Sequence, residues 1–160
     1  MLKDNQSNLP TNMKIVSLYG GGGTGKTTTL KSLIGLLEKN GQLINGKNKV
    51  KDSWGVFELF NANGKNVKVG ITTKGDTVGA LEKDFKKMLS YDCDLYVCAS
   101  HTYGSTVTWL QNRTKNGYLL RLSKATVQEQ GQMPNVAIIT EQAINTWQAE
   151  KLFEIVISLL

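Results

Sequence analysis

Lys14-Ile15-Val16-Ser17-Leu18-Tyr19, running into Gly20-Gly21-Gly22-Gly23-Thr24-Gly25-Lys26-Thr27, is the stretch on which the fold turns. The first six residues form a short β-rich run. The next eight satisfy the pattern G-x-x-x-x-G-K-[ST]. Glycines at such spacing let the backbone curl so that successive N–H groups point inward at an anion, which side chains would obstruct. Beyond the loop, Leu30, Leu33, Ile34 and Leu37 recur at i, i+3, i+4 and i+7, which predicts a helix with one apolar stripe. Asn40-Gly41 supplies its stop. The positive end of that helix faces the same anion. A strand, a loop and a helix in this order and size separate the motif from a glycine-rich turn that merely ends in Lys-Thr.

Residues 14–41 resemble the first strand, Walker A loop and first helix of P-loop NTPases, a likeness that covers under a fifth of the chain. The resemblance implies an α/β fold, a three-layer sandwich with a mostly parallel central sheet, together with a bound nucleoside triphosphate and Mg²⁺. It assigns phosphate binding to Gly20, Gly21, Gly22, Gly23, Thr24, Gly25, Lys26, Thr27 and Thr28. Lys26 would bridge the β- and γ-phosphates and Thr27 would ligate the metal. A GTPase would be expected to carry Asn-Lys-x-Asp after a late strand. The nearest string here, Asn48-Lys49-Val50-Lys51, lacks the Asp and falls early, so ATP is the expected nucleotide. Position 21 is Gly, so the loop lacks the early lysine of the ParA and MinD type.

A chain of 160 residues reads as one domain over residues 14–160, long enough to bury a substantial core but too short for an added helical lid of the AAA+ kind. Residues 1–13 are polar and read as a flexible tail. The longest apolar run falls short of a membrane span and no signal peptide is evident, so a cytoplasmic location is expected. Cys93 and Cys98, with a single histidine, make neither a zinc pattern nor a disulfide framework, which points to two reduced thiols. The net charge of +6 comes from scattered lysines, denser over 47–51 and 113–124. Scattered lysine marks a solvated surface, and no aromatic-basic interleaving supports a nucleic-acid partner.

Further along, residues 42–53 read as a loop. Val56–Phe60 and Val67–Thr72 predict a hairpin across Asn63-Gly64. Val78, Leu81, Phe85, Met88 and Leu89 predict a helix to Ser90, and Leu95–Ala99 a central parallel strand covered on both faces. A short helix is expected over Thr106–Gln111, strands over Tyr118–Leu122 and, more weakly, Val136–Ile139, and a closing helix over Glu141–Ser158. The stripe of that last helix would be Ile144, Trp147, Leu152, Ile155, Val156 and Leu159.

Three further elements bear on chemistry. Asp76 follows the strand ending at Thr72 and is the candidate carboxylate for the Mg²⁺ shell, in the place of a Walker B acid, although Thr72-Thr73 interrupt the apolar run. It would serve equally as the N-cap of the next helix. Asp92 and Asp94 precede a strand and belong to the wrong edge of the sheet, and Glu58 is an alternative if the hairpin carries it over the site. His101 and Tyr103 occupy the next strand-to-helix connection and are candidates for substrate contact, with Ser105 or Thr106 capping the short helix. Arg113 is the candidate for an arginine acting in cis on the γ-phosphate, by positional analogy with the lid of small kinases resembling adenylate or shikimate kinase. The alternative is a solvated basic turn with Lys115, Arg121 and Lys124. Three functions remain open: an ATPase coupled to an unknown partner or conformational change, a small-molecule or nucleotide kinase, and a nucleotide-binding module with little turnover.

Overall fold

A computed structural model describes residues 11–48, 53–126 and 134–160. The strands are β1 (Lys14–Tyr19), β2 (Gln42–Asn48), β3 (Ser53–Phe60), β4 (Asn66–Thr72), β5 (Leu95–Ser100) and β6 (Leu119–Ser123). The helices are α1 (Lys26–Asn40), α2 (Val78–Ser90), α3 (Ser105–Arg113) and α4 (Pro134–Leu159). The fold is α/β around one six-stranded sheet in the order β2-β3-β4-β5-β1-β6. The sheet is mixed. β4, β5, β1 and β6 run parallel, while β2 and β3 form an antiparallel flap on the β4 edge.

The apolar residues of the strands divide between two faces. Val16, Leu18, Leu95, Val97 and Ala99 meet Leu30, Leu33, Ile34 and Leu37 of α1 and Ala149, Leu152 and Val156 of α4. On the other face Ile15, Tyr96 and Cys98 meet Leu81, Phe85 and Met88 of α2 and Trp109 and Leu110 of α3. Phe85 and Trp109 pack edge to face, with ring centroids 5.3 Å apart. Every residue of β5 is buried, as its uninterrupted apolar run requires of a strand lying between β4 and β1 with helices on either side. The Tyr96 hydroxyl, buried within it, is paired with Thr72 Oγ1 at 2.7 Å. Cys93 and Cys98 are free and buried. No described helix is long and apolar enough to cross a membrane.

Several expectations are corrected. The segment 42–53 is not a loop, because Gln42–Asn48 pairs antiparallel with Ser53–Glu58 as the edge strand β2, with residues 49–52 outside the described set. Its Gly, Asn and Lys content reflects an edge position, where Leu43 and Ile44 lie exposed and a register shift between Leu43 and Asn45 roughens the free side. Residues 1–10 lie outside the described residues, but the end of the expected tail is packed. Thr11 N–H donates to the Arg113 carbonyl at 2.7 Å, and Thr11 and Met13 are buried. The expected strand Val136–Ile139 is the start of α4. Four apolar residues fit either period, and Pro134 at the first helical position suits a helix start. The stripe of α4 holds at Leu152 and Val156, which are buried, but Trp147 is half exposed at 50% and Ala149 takes a buried place the stripe did not include.

The hairpin β3–β4 forms as the Asn-Gly step suggests. Gly64 takes φ of 75°, and Asn61 Oδ1 accepts from the N–H groups of Asn63 and Lys65. Its antiparallel register sets Glu58 opposite Lys68, near the end of the sheet where β1 and β5 begin. Glu58 is therefore carried away from the loop that follows Tyr19. Asp94 also lies at that far end, its carbonyl accepting from Lys14 N–H, in keeping with the sequence reading.

Candidate functional site

The loop Gly20–Gly25 leaves the carboxyl end of β1 and enters α1 at Lys26. Its glycines serve different ends. Gly23 and Gly25 hold φ of 74° and 92°, the left-handed region that costs an ordinary residue about 1–2 kcal/mol. Gly20 and Gly25 are also crowded. A Cβ on Gly20 would sit 3.1 Å from Thr24 Oγ1, and one on Gly25 would sit 3.1 Å from Asn145 Oδ1. Gly22 has open space around it. Thr24 Oγ1 donates to the Gly21 carbonyl at 2.8 Å and closes the turn. Gly25 at the N-cap offers no side chain to the free helix amides, and the first turn of α1 holds no acidic residue. The positive end of α1 is thus left uncompensated by its own sequence.

Lys26, 9% exposed, turns back over the end of the sheet. Its Nζ donates to the Gly20 carbonyl at 2.6 Å and the Ser100 carbonyl at 3.3 Å, so the ammonium bridges the ends of β1 and β5. Burial lowers its pKa, and the charge of Asp76 acts in the opposite sense. Beneath it the hydroxyls of Ser17 and Ser100 share a buried hydrogen bond of 2.6 Å. Thr27 is half-buried in the first turn of α1 and Thr28 is exposed.

The turn after β4 crosses the end of β5. A Cβ on Gly75 would fall 1.7 Å from the Ala99 carbonyl oxygen, so only glycine permits this approach. The crossing carries Asp76, with an exposed side chain, into electrostatic range of Lys26. The helix cap belongs to its neighbour: Thr77 Oγ1 accepts from Ala80 N–H at 3.1 Å, which corrects the capping role considered for Asp76. His101 fixes the turn, its Nε2–H donating to the Asp76 carbonyl at 2.9 Å. The same histidine's carbonyl accepts from Arg121 at 3.2 Å, and its N–H reaches Thr106 Oγ1 at 3.3 Å. Thr106 is thereby occupied, and the N-cap of α3 is Gly104, with no side-chain bond. Tyr103 is 83% exposed and lines a hollow of about 230 Å³ with Gly20, Gly21, His101 and Thr102.

Arg113 is not brought to the loop. It ends α3, which starts beside the site and runs back along the sheet, and its carbonyl holds Thr11 just before β1 begins. Its guanidinium stacks over Trp109 at 5.1 Å. The basic residues that do approach are Arg121 and Lys124, because β6 is parallel to β1 and finishes level with it. Arg121 lies over the Tyr19 ring at 4.4 Å and donates to the Thr102 carbonyl at 2.9 Å. Lys124 N–H donates to the Tyr19 carbonyl at 2.7 Å, and its ammonium turns to the Ala125 carbonyl. Burial lowers the Lys124 pKa, opposed by Glu141.

A cavity of about 420 Å³ opens between the loop, the segment after β6 and α4, lined by Gly23, Thr24, Thr28, Lys124, Glu141 and Asn145. Gln148 of α4 ties down the segment after β6 that lines this cavity, accepting from Ala125 N–H and donating to the Ser123 carbonyl, each at 2.8 Å. Nothing local marks Asn145, Glu141 or Gln148 in the sequence, since α4 reaches the loop only through the fold. Among the described residues no group of three or more His, Cys, Asp and Glu side chains could hold a metal alone. Comparisons with models of known protein families, with curated proteins and with solved structures returned no match.

Proposed function

We propose that this chain is a P-loop NTPase of the three-layer sandwich kind, binding ATP with Mg²⁺ and hydrolysing its γ-phosphate. The observation that carries the reading is the conjunction at the end of β1. Two left-handed glycines shape the loop, the following helix end carries no acid, and a largely buried ammonium reaches back across the loop. An anion is the partner such a set calls for, because it would offset both the helix end and the desolvated Lys26.

The residues fit the two groups the reading requires. Amides of Gly22–Thr28 and Lys26 would hold the phosphates, and the cavity beside Asn145 and Glu141 is of a size for a nucleoside. Thr27 and Asp76 offer one hydroxyl and one carboxylate, a sparse donor set that suits Mg²⁺, which takes its remaining ligands from phosphate oxygens and water. The metal would supply charge neutralisation on the phosphates. The chain's own part is positioning: Lys26 aligns the β- and γ-oxygens, and His101, by gripping the Asp76 carbonyl, keeps that carboxylate beside the loop.

A phosphotransferase using the same cradle is the second reading, favoured by a lysine-lined hollow at the same end of the sheet. Phosphate release from ATP with Mg²⁺, measured alone and then with nucleoside monophosphates and small-metabolite acceptors, separates the two. Lys26→Ala is expected to abolish either activity without unfolding the chain, and unaltered turnover would end the proposal. Asp76→Asn is expected to raise the Mg²⁺ requirement. Tight ATP binding with no release under any condition would leave a nucleotide-binding module in place of an enzyme.

A further inference from the structure

At the end of the sheet that carries the glycine loop, but on its opposite flank, lies a second concavity of about 270 Å³. The register of the flap builds it. Lys47 of β2 stands beside Trp54 of β3, which stands beside Thr72 of β4, so three strand ends finish level and α2 closes over them. Lys47, Lys74, Lys83 and Lys87 all line this space, and among the described lining residues Asp84 is the one carboxylate. Lys87 Nζ lies 3.9 Å from Asp84 Oδ1 and 4.1 Å from the centre of the Trp54 ring.

Four ammonium groups around one hollow are costly to assemble. Lys83 and Lys87, one helical turn apart, repel each other, as like charges at that spacing do. Burial lowers the Lys87 pKa; Asp84 opposes that shift, while Lys83, Lys47 and Lys74 add to it. A solvated basic face spreads its lysines over convex surface, each turned to water. Here lysines from β2, from the turn after β4 and from α2 converge on a single space.

We infer that this hollow binds a small dianionic ligand, a phosphomonoester or an oxyanion of equal charge. The charge count favours a dianion: among the described lining residues four lysines and one carboxylate leave three positive charges, and a monoanion would leave two. Ammonium groups act as point charges with rotatable donors and match a tetrahedral oxyanion from several directions. The size selects a small molecule, and Trp54 gives its uncharged part a flat wall. A nucleic acid would instead need a stripe of cations following a backbone. The hollow is two to three strand spacings from the end of β1, roughly 10–15 Å. Lys74 joins the two places directly, lying two residues before Asp76. This inference goes beyond the nucleotide reading and does not depend on it.

The test follows the Trp54 indole resonance by ¹H–¹⁵N NMR, assigned with Trp54→Phe, as inorganic phosphate is added at mildly alkaline pH against chloride at matched ionic strength. The expected result is a saturable shift with phosphate and none with chloride, in the wild type and equally in Lys26→Ala. Lys74→Gln/Lys83→Gln alters two exposed side chains and is expected to weaken binding at least about tenfold, the scale of one lost charge-assisted contact. Lys74→Arg/Lys83→Arg is expected to retain it. A silent Trp54, or a shift that chloride reproduces or the glutamine variant leaves unchanged, would overturn the inference. So would a short single-stranded DNA that moves the same resonance at lower concentration than phosphate. Amides of residues 22–28, followed in the same spectra as ATP with Mg²⁺ is then added, report on the loop separately: if they ignore ATP while Trp54 responds to phosphate, the nucleotide reading fails and this one stands.

Discussion

Gly25→Ala tests the loop where geometry and energy are most closely joined. The backbone there holds φ of 92° and ψ of 18°, which charges an alanine about 1–2 kcal/mol for the left-handed conformation. A second contribution comes from Asn145, whose Oδ1 and Nδ2 would lie 3.1 and 3.2 Å from the new methyl. Asn145 accepts from Thr29 Oγ1 only at 3.4 Å, so its amide is weakly held and able to yield. The expected loss is therefore near the backbone value, about 1–2 kcal/mol, with a fall in Tm of roughly 2–8 °C for a chain of this size. Gly23→Ala, at φ of 74° but in open space, is expected to lose the backbone part alone. Gly22→Ala, with neither strain nor neighbours, is expected to stay within about 0.5 kcal/mol of the wild type. Urea unfolding of the three variants, together with Gly25→Ala/Asn145→Ala, resolves these contributions. Equal losses at positions 22 and 25 would refute the reasoning, because only a general intolerance of side chains in the loop would produce them. Phosphate affinity is expected to order the variants differently, with Gly22→Ala obstructing the amides while leaving the fold intact.

Two further outcomes can be checked on the same protein. Thr77→Ala is expected to cost about 1 kcal/mol in urea unfolding through loss of the α2 cap. Asp76→Asn should cost far less in the same assay, and a reversed order would return the cap to Asp76. The Cys98 thiol, pushed up to about 12 from 9.0 mainly by burial, stays protonated in the folded chain after its unfolded counterpart has ionised. Its share of stability is therefore complete below pH 9 and is lost as pH rises towards 12, by up to about 1.4 kcal/mol per pH unit. Lys26, Lys87 and Lys124, with lowered pKa values, act with the opposite sign, so the slope of stability against pH in Cys98→Ala relative to wild type is the quantity to measure. Identical slopes would show that Cys98 keeps an ordinary pKa.

The core of α1, the buried run of β5 and the β3–β4 hairpin were all legible because each rests on interactions within a few residues. Helical spacing of Leu30, Leu33, Ile34 and Leu37 selects one face, and a continuous apolar strand demands cover on both. Edge strand β2 was not legible, since a strand with a free side and a register shift carries no apolar alternation. The start of α4 reads as a strand in the sequence because Val136-Ala137-Ile138-Ile139 is too short to distinguish the two periods.

For the site, the chain alone determined the glycine loop, the lysine that ends it and the helix that follows, because contiguous residues impose that geometry on themselves. The tertiary structure decided everything that arrives from a distance. α3 rises about 1.5 Å per residue away from the site and so takes Arg113 to the far end of the sheet. Parallel pairing of β6 with β1 brings Lys124 to the loop instead, and α4 lays Asn145 across Gly25. Spacing in the sequence cannot foretell these neighbours: strand order and helix direction are settled by how the two apolar faces of the sheet are covered, a property of the whole chain.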